Sequence, residues 1–237
     1  MKFYRNLQPF KVISFDLDDT LYDNSMVIAL AEQKFLTKLQ QESQLTELDS
    51  TQWRYWKSKV MQQDPILCED VIAWRITATR ILLQHHHKKP QEIQRIIQSS
   101  MAEFIEWRHK ISIPTQTFEV LNKLTQRYPL IAITNGNVDP KLIGLDYFKL
   151  VLRGGEHGRA KPHSQLFHQT AQHFQISPQN ILHIGDHLVS DVQGAIQAGC
   201  QAIWINVTKQ HINQCSETTL LPTLEIAKLD ELLKFIN

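Results

Sequence analysis

Two aspartates stand directly after a short apolar run near the start of the chain, and they are the residues best placed to do chemistry. The run is Val12–Phe15, which is expected to form a buried strand, and Asp16 and Asp18 follow it. Side chains alternate along an extended chain, so the two carboxylates are expected to point the same way, with Leu17 turned between them. Several charges at the end of a buried strand need a cation to neutralise them. The pattern therefore predicts a hard divalent cation and, with it, a phosphate site.

Polar residues also follow three later apolar runs, at residues 130–133, 150–152 and 181–184. The candidate side chains there are Thr134 and Asn135 after the first run, Lys161 in the loop after the second, and Asp186 and Asp191 after the third. Because ligands bind at the carboxyl ends of strands in an open α/β sheet, these side chains are expected to meet in one place. Any one of them alone could be an ordinary solvated loop residue, since loops are polar. That interpretation does not explain why several apolar strands end in such residues.

The elements that must hold these residues follow an alternating pattern in the second half of the chain. Apolar runs that indicate strands alternate there with helical segments, and a fifth strand is predicted at residues 202–205. Such alternation predicts a parallel, doubly wound, Rossmann-like α/β sheet. Between the first and second predicted strands only helical periodicity is found. We therefore predict a core made of residues 1–22 and 114–237, and an inserted subdomain of about four helices at residues 23–113.

Composition argues against several classes of partner. With 237 residues, 42% of them hydrophobic, and a net charge of +1, the chain is typical of a soluble globular protein. The small net charge provides no field to attract nucleic acid or an anionic membrane, and no apolar segment is long enough for a signal peptide or a membrane span. Cys68, Cys200 and Cys215 are widely spaced, as is typical of reduced cysteines in a cytoplasmic protein. We expect a cytoplasmic monomer or small homo-oligomer whose partner is a small molecule.

The segment Asp-Leu-Asp-Asp-Thr at residues 16–20 resembles the first signature of the haloacid-dehalogenase-like (HAD) hydrolase superfamily. The superfamily's later signatures are matched in order by Thr134, Lys161, Asp186 and Asp191. The resemblance implies a Mg²⁺-dependent phosphomonoester hydrolase with a Rossmann-like core and a helical cap of the first class, which generally closes over small soluble substrates. Longer segments at residues 15–24, 132–137 and 157–162 are similar to bacterial phosphatases that act on flavin mononucleotide and on a ribitylaminouracil phosphate of riboflavin synthesis. This similarity implies the same substrates.

The resemblance also implies roles for the site residues, and each role suits the chemistry of the residue. Asp16 would be the nucleophile that forms an aspartyl-phosphate, and Asp18 would protonate the leaving alkoxide and then take a proton from the attacking water. Thr134 and Asn135 would bind phosphoryl oxygens. Lys161 would place a compact positive charge beside the transferring group and the nucleophile.

A magnesium site is implied by the same resemblance. Mg²⁺ would be bound by the carboxylates of Asp16 and Asp186 and by the backbone carbonyl of Asp18, all of which offer hard oxygen ligands. Asp191 would orient a metal-bound water rather than contact the ion. His187 is a departure from the pattern, because an acidic residue commonly follows the aspartate there. The departure leaves the principal ligand intact and puts a supporting metal role for position 187 in doubt.

Several alternatives stay open at this stage. Asp18 distinguishes the chain from the superfamily's dehalogenases, which lack this second aspartate, and from its ion-pumping ATPases, which have a threonine there. Phosphomutases retain both aspartates and remain an alternative, as does a general sugar-phosphate or nucleotide phosphatase. A non-enzymatic binding protein that kept the fold is the least favoured, since the set of acid, hydroxyl, amine and metal-binding residues is complete.

The helical insertion should determine substrate choice, yet its residues give weaker predictions. Its aromatic residues are expected to form a core rather than to stack on a flavin ring, because they recur at helical spacing: Trp53, Tyr55, Trp56, Trp74 and Trp107. Arg75 and Arg108 are expected on solvated helix faces rather than in contact with a ribityl chain or a pyrimidine carbonyl. The histidines at positions 85–87 are expected to form a basic helix end rather than a metal site, because successive residues on a helix point in different directions.

Overall fold

Asp16 directly follows one of the central strands of a seven-stranded sheet. The protein is described by a computed structural model for residues 1–209, 211–212 and 219–235. The strands are, in chain order, β1 Lys2–Phe3, β2 Val12–Phe15, β3 Leu130–Thr134, β4 Phe148–Arg153, β5 Ile181–Gly185, β6 Gln201–Ile205 and β7 Leu224–Ile226. Their order across the sheet is β1-β7-β6-β5-β2-β3-β4.

The strand β2 lies between β3 and β5, and all three strands are buried along their whole length. Strands covered on both faces need continuous apolar runs, which is why these segments lack a polar face. Phe15 pairs with Ala132 of β3 and Ile184 of β5, so the residues that follow these strands leave the sheet at one edge. The predicted parallel sheet is confirmed. Only the short strand β1 is antiparallel to its neighbour β7 among the described strands.

Seven α-helices are present in the described residues. They are α1 Ser25–Ser43, α2 Ser50–Gln63, α3 Val71–His85, α4 Pro90–Arg108, α5 Thr115–Leu124, α6 Gln165–Phe174 and α7 Gly194–Gln197. The last three lie between or beside strands, as the alternating pattern predicts. Helix α6 buries Leu166 and Phe167 in one cluster with Val12, Ile131 and Ile133 of the sheet. Burial of apolar area of this kind, at roughly 25 cal/mol per Å², is the main stabilising contribution to the layer.

The segment that follows β5 begins with a turn wider than that of an α-helix. It starts as a π-helix, Leu188–Gln193, which leads directly into α7. The carbonyl of His187 accepts hydrogen bonds from the backbone N–H groups of both Asp191 and Val192, which is the shift to the wider turn. The His187 ring caps this turn, because its Nδ1 accepts from the N–H groups two and three residues further on, each at 3.1 Å. Asp191 is therefore presented from a wide, capped turn.

The chain divides into two compact units. One contains the sheet and consists of Met1–Asp23, Ser112–Gly136 and Gly144–Asn237. The other contains α1 to α4 and consists of Asn24–Ile111 and Asn137–Ile143. The predicted four-helix content of the insertion is thus present. The assignment of residues 23–113 to a cap and of residues 1–22 and 114–237 to a catalytic core stays a prediction.

The helical unit has an apolar core of its own, and most of its aromatic residues lie there. Trp53 and Trp56 are buried, and Trp74 and Trp107 are partly buried against the same cluster, as predicted. Tyr55 is 52% exposed and lies outside this core, so the prediction is wrong for that residue. Helical spacing identifies the buried face but does not exclude a neighbour on the opposite side of the helix.

The prediction that Arg75 and Arg108 lie on solvated faces is wrong. Arg75 is 4% exposed and Arg108 is 1% exposed. The Nη2 atom of Arg75 lies 2.6 Å from Oε1 of Glu32, and its guanidinium lies over the ring of Phe104, 3.6 Å from the ring centroid. A buried guanidinium is tolerated here because a carboxylate and an aromatic face replace the lost water.

Smaller features of the chain complete the description. Helix α3 ends at His85, so the histidine run does form a helix end, as predicted. Cys68 and Cys200 are buried free thiols, and Cys215 lies outside the described residues. In the part of the chain that is described, no helix combines the length and apolar character needed to cross a membrane.

Candidate active site

The ammonium group of Lys161 lies between two buried aspartates. Its Nζ is 2.7 Å from Oδ1 of Asp16 and 2.6 Å from Oδ1 of Asp191, and it donates a third bond of 2.6 Å to the carbonyl of Ile133. An ammonium group has three donors, so all of them are used within the protein. Burial alone would lower the pKa of Lys161, but the charges of Asp16 and Asp191 outweigh it and raise that pKa above its ordinary value. Lys161 is therefore a fixed positive charge beside Asp16.

The loop that carries Lys161 is tied to the end of β3. Oδ1 of Asn135 accepts a 2.9 Å hydrogen bond from the Lys161 backbone N–H, and Nδ2 of Asn135 donates a 2.8 Å bond to the Lys161 carbonyl. The start of the loop needs a glycine, since a Cβ at Gly154 would lie 2.7 Å from the Cβ of Ala160. The Asn135 side chain thus holds the lysine loop. Its predicted contact with phosphate stays a prediction.

Three donors hold Asp191. Its Oδ1 accepts from Lys161 and, at 3.2 Å, from Nε2 of His183, while its Oδ2 accepts from the backbone N–H of His187 at 3.0 Å. Burial alone would raise the pKa of Asp191, but the charge of Lys161 and the hydrogen bond from His183 outweigh it and hold that pKa below its usual range. Gly185 leaves room for the carboxylate, because a Cβ there would collide with the Asp191 side chain. Asp191 is ionised, and both of its oxygens are engaged by the protein.

Three carboxylates converge where a cation would fit. One oxygen from each of Asp16, Asp186 and Asp191 lies within 4.8 Å of the others. Burial raises the pKa of Asp16 above its ordinary value and that of Asp186 to about 6, and neighbouring carboxylates add to both shifts. Oxygen ligands of this kind are those that Mg²⁺ prefers, and a cation would offset the repulsion between them. The group is the only one of its kind found within the described ranges, and it does not include the histidines at 85–87.

Asp186 is oriented by contacts on two sides. The hydroxyl of Thr20 donates a 3.3 Å hydrogen bond to its Oδ1, and Nε1 of Trp204 donates a 2.8 Å bond to its backbone carbonyl. Asp19, which lies between Asp18 and Thr20, adopts a φ of 57°, a left-handed conformation that aspartate tolerates better than most residues. This turn brings Thr20 back to Asp186. The Thr20 hydroxyl therefore has a positioning role that the sequence interpretation did not assign.

All seven predicted site residues line one cavity of about 190 Å³ in the unit that contains the sheet: Asp16, Asp18, Thr134, Asn135, Lys161, Asp186 and Asp191. Leu17 is buried between the two aspartates, as the alternation of side chains predicts. The Thr134 oxygen accepts a 3.0 Å hydrogen bond from the backbone N–H of Gly136, so its own O–H can be donated to a bound group. The structure brings together a carboxylate, a hydroxyl and an ammonium group around a small cavity suited to a phosphate-sized group.

Comparison with known proteins identifies the family. Residues 10–199 match the family described as haloacid dehalogenase-like hydrolase. The chain belongs to this family. YigB of Escherichia coli (strain K12), a 5-amino-6-(5-phospho-D-ribitylamino)uracil phosphatase, is 38% identical to this HAD-like hydrolase over the full length of both chains. A glyceraldehyde 3-phosphate phosphatase of Pyrococcus abyssi is 27% identical over 96% of this chain and 94% of its own.

Solved structures place the HAD-like hydrolase in the same fold. The crystal structure of a 2-haloacid dehalogenase from Pseudomonas syringae pv. Tomato DC3000 matches it with a TM-score of 0.88 and 29% identity, over 96% of this chain and 98% of the other. The predicted HAD-like, Rossmann-like α/β fold is confirmed. Curated relatives that match this HAD-like hydrolase over nearly the whole length of both chains are phosphatases. This HAD-like hydrolase is therefore a phosphatase.

Two further residues of the HAD-like hydrolase lie behind its site and were not identified from sequence. His183 is in the middle of β5 and contacts Asp191, and Ser14 of β2 contacts His183. The available signal was a histidine inside an otherwise apolar strand. A polar ring in such a position needs partners on both nitrogens, which the sequence alone does not reveal.

Proposed function

We propose that this phosphatase hydrolyses phosphate monoesters of small metabolites through an aspartyl-phosphate on Asp16, with phosphates of the riboflavin pathway as preferred substrates. The observation that carries the chemistry is the position of Asp16, which is 8% exposed, lines the cavity and has its Oδ1 2.7 Å from the ammonium group of Lys161. Because Lys161 holds one oxygen, we assign the attack on phosphorus to the other oxygen. The lysine charge also stabilises the charge that develops on the phosphoryl group.

Asp18 is the second participant in the proposed reaction. It is half-buried and lines the same cavity as Asp16. As Asp16 bonds to phosphorus, the bond to the leaving alkoxide breaks, and Asp18 gives its proton to that oxygen. A water then attacks phosphorus and gives a proton to Asp18, which releases Asp16 and inorganic phosphate. Thr134 supports both steps by donating its O–H to a phosphoryl oxygen.

The proposal includes Mg²⁺ held by Asp16, Asp186 and the backbone carbonyl of Asp18. The support is the convergence of the buried Asp16 and the partly buried Asp186, both with raised pKa values, since such a pair of carboxylates is stabilised by a cation. Bound Mg²⁺ would supply positive charge against the phosphate and the carboxylates. Asp191 has a supporting role in the proposal, because both of its oxygens already accept hydrogen bonds from Lys161, His183 and His187.

The preferred substrate is proposed from similarity. YigB, at 38% identity over the whole chain, acts on 5-amino-6-(5-phospho-D-ribitylamino)uracil. We therefore propose this compound as a substrate, and we propose flavin mononucleotide as a second one from the resemblance of residues 15–24, 132–137 and 157–162. The more distant glyceraldehyde 3-phosphate phosphatase shows that relatives at 27% identity act on a different small phosphate, so general sugar-phosphate or nucleotide hydrolysis is the competing outcome.

Phosphate release from a panel of phosphorylated metabolites, with Mg²⁺ and with a chelator, tests the proposal. We expect metal-dependent turnover with the highest kcat/KM on the two flavin-pathway phosphates. Asp16→Asn should lower kcat by about three orders of magnitude or more. Asp19→Asn is the matched control, because asparagine also tolerates the left-handed backbone at that position. Equal turnover across the panel would contradict the substrate preference, and wild-type activity in Asp16→Asn would contradict the mechanism.

A further inference from the structure

A histidine is buried in the middle of the central sheet, directly behind the proposed site. His183 lies on β5 with no exposed surface, and its register partner on β2 is Ser14. Its ring packs edge-on against Phe167, with the ring centroids 5.0 Å apart. Burying a polar ring in such surroundings is costly unless both nitrogens have partners. Both do, and one of the partners, Asp191, also contacts Lys161 beside the nucleophile.

The hydrogen bonds of His183 fix the direction of the ring. Its Nε2 lies 3.2 Å from Oδ1 of Asp191, and its Nδ1 lies 2.9 Å from the hydroxyl oxygen of Ser14. An ionised carboxylate only accepts hydrogen bonds, so Nε2 carries the proton and donates it to Asp191. Burial lowers the pKa of His183 and favours the neutral ring. Nδ1 then accepts from the Ser14 O–H.

These contacts continue to the nucleophile through a flexible side chain. Asp191 accepts from Lys161 with the same Oδ1 that His183 contacts, and Lys161 in turn contacts Asp16. The other two donors to Asp191 are rigid, because one is the His183 ring on β5 and the other is the backbone N–H of His187. The lysine has a long stem with several rotatable bonds. These rigid donors can therefore fix the orientation of the Asp191 carboxylate. The carboxylate can in turn fix the position of the Lys161 ammonium group.

We propose that His183 is a positioning residue for Lys161, acting through Asp191, and that Ser14 holds the His183 ring in the orientation this requires. The inference rests on the proposed function, since it assigns the relay to the site in which Asp16 is the nucleophile. His183 contacts neither substrate nor the reacting atoms. Without its bond, one fewer donor orients Asp191, and the ammonium group of Lys161, still bonded to Asp16 and to the Ile133 carbonyl, is held less firmly beside the nucleophile.

Four variants test the relay by steady-state kinetics on flavin mononucleotide with saturating Mg²⁺. His183→Leu keeps the approximate volume but has no donor, whereas His183→Gln can donate to Asp191 and accept from Ser14. We expect kcat in His183→Leu to fall about 10- to 100-fold, the range typical when the outer partner of a site residue is lost, with little change in KM. His183→Gln should recover a large part of this loss. Ser14→Ala should lower kcat several-fold in the wild-type background and leave it unchanged in the His183→Leu background.

A readout that does not need turnover separates the relay from the proposed function. The hydrogen exchange of the Lys161 ammonium group can be followed by ¹⁵N NMR in each variant. We expect exchange at least about tenfold faster in His183→Leu than in the wild type, because fewer contacts hold the lysine in place. Thr170→Val is the matched control, since Thr170 is also buried and its hydroxyl donates to the carbonyl of Leu166 within α6. It should change neither kcat nor exchange.

The outcomes are distinct. Unchanged kcat and unchanged Lys161 exchange in His183→Leu would overturn the relay, while the loss of turnover in Asp16→Asn would leave the proposed function standing. Equal losses in His183→Leu and Thr170→Val would also overturn it, because they would show a general packing effect. If the wild type released no phosphate from any ester, the proposed function would fail, and the exchange comparison would still decide the relay.

Discussion

Asn135 and Lys161 are joined twice, because the side-chain amide of Asn135 bonds both the N–H and the carbonyl of the lysine backbone. The two residues lie on different loops, one directly after β3 and the other after β4. Each bond alone is worth about 1 kcal/mol, but the pair fixes both position and direction of the lysine backbone. The position of Lys161 in the site thus depends on Asn135, independently of any contact between Asn135 and the substrate.

We expect Asn135→Ala to lower kcat by about tenfold or more, because the lysine loop loses both bonds and the ammonium group is less well placed. Asn135→Asp keeps an acceptor for the Lys161 N–H and loses the donor to its carbonyl, so it should lie between Asn135→Ala and the wild type. Steady-state kinetics on one phosphate ester measures this series. Equal loss in both variants, with a large rise in KM, would favour the alternative that Asn135 binds phosphate directly.

The role of Asp18 predicts a stalled intermediate. Asp18→Asn keeps the size and the backbone carbonyl of the residue but removes the acidic proton that Asp18 gives to the leaving group. We therefore expect kcat to fall about 10²- to 10⁴-fold. With p-nitrophenyl phosphate, whose leaving group needs little protonation, Asp16 should still be phosphorylated. Stopped-flow absorbance should then show a burst of about one equivalent of nitrophenol, followed by slow turnover. The Asp16→Asn/Asp18→Asn double variant should show no burst.

How far the sequence determines this structure depends on the kind of signal. The strands β2, β3, β5 and β6 follow from apolar runs that are buried on both faces, whereas β1 Lys2–Phe3 and β7 Leu224–Ile226 are too short to show any period. The site residues follow from the types found at strand exits, because a parallel sheet brings those exits to one edge. The contacts that hold the site residues in place cannot be predicted from these patterns, because they join residues distant in sequence, such as Ser14 and His183.

The helical unit shows the same limit more clearly. Trp74 of α3 is expected in the core and is partly buried there, whereas the fully buried residues of α3 include the polar Arg75 and Thr79. The polarity of Arg75 and Thr79 predicts that they face solvent. They are buried instead, because each has a partner within the helical unit. The Thr79 hydroxyl donates to the Arg75 carbonyl one turn earlier, and the Arg75 side chain meets a carboxylate from α1. Such partners depend on how the helices pack, which a single sequence does not specify.

The raised pKa of Asp186 predicts a pH-dependent affinity for Mg²⁺. Its carboxyl has a pKa of about 6 in the metal-free protein, because burial and nearby carboxylates disfavour its charge. Below that pH a cation must displace a proton, so the affinity for Mg²⁺ should fall, by about tenfold between pH 7 and pH 5. The raised pKa of Asp16 acts in the same direction. Isothermal titration calorimetry at several pH values measures the slope. Constant affinity over this range would contradict the assignment of these carboxylates as ligands.

The final prediction concerns Arg75, which is buried in the helical unit against Glu32 and the ring of Phe104. Arg75→Met keeps much of the packing and removes the charge, leaving Glu32 without its shortest ion pair. Because the Glu32 side chain is 31% exposed, water compensates part of the loss, and we expect the free energy of unfolding to fall by about 1–3 kcal/mol.

Urea denaturation of Arg75→Met, Glu32→Gln and the double variant measures the coupling between the two charges. The double variant should lose less than the sum of the single losses, since neither charge is then left without the other. Lys38→Met is the matched control, because Lys38 and Glu42 form an i,i+4 ion pair on α1 in which both side chains keep contact with water. It should leave the unfolding midpoint unchanged. Additive losses in the double variant would show that Arg75 stabilises the unit through its contact with Phe104 rather than through Glu32.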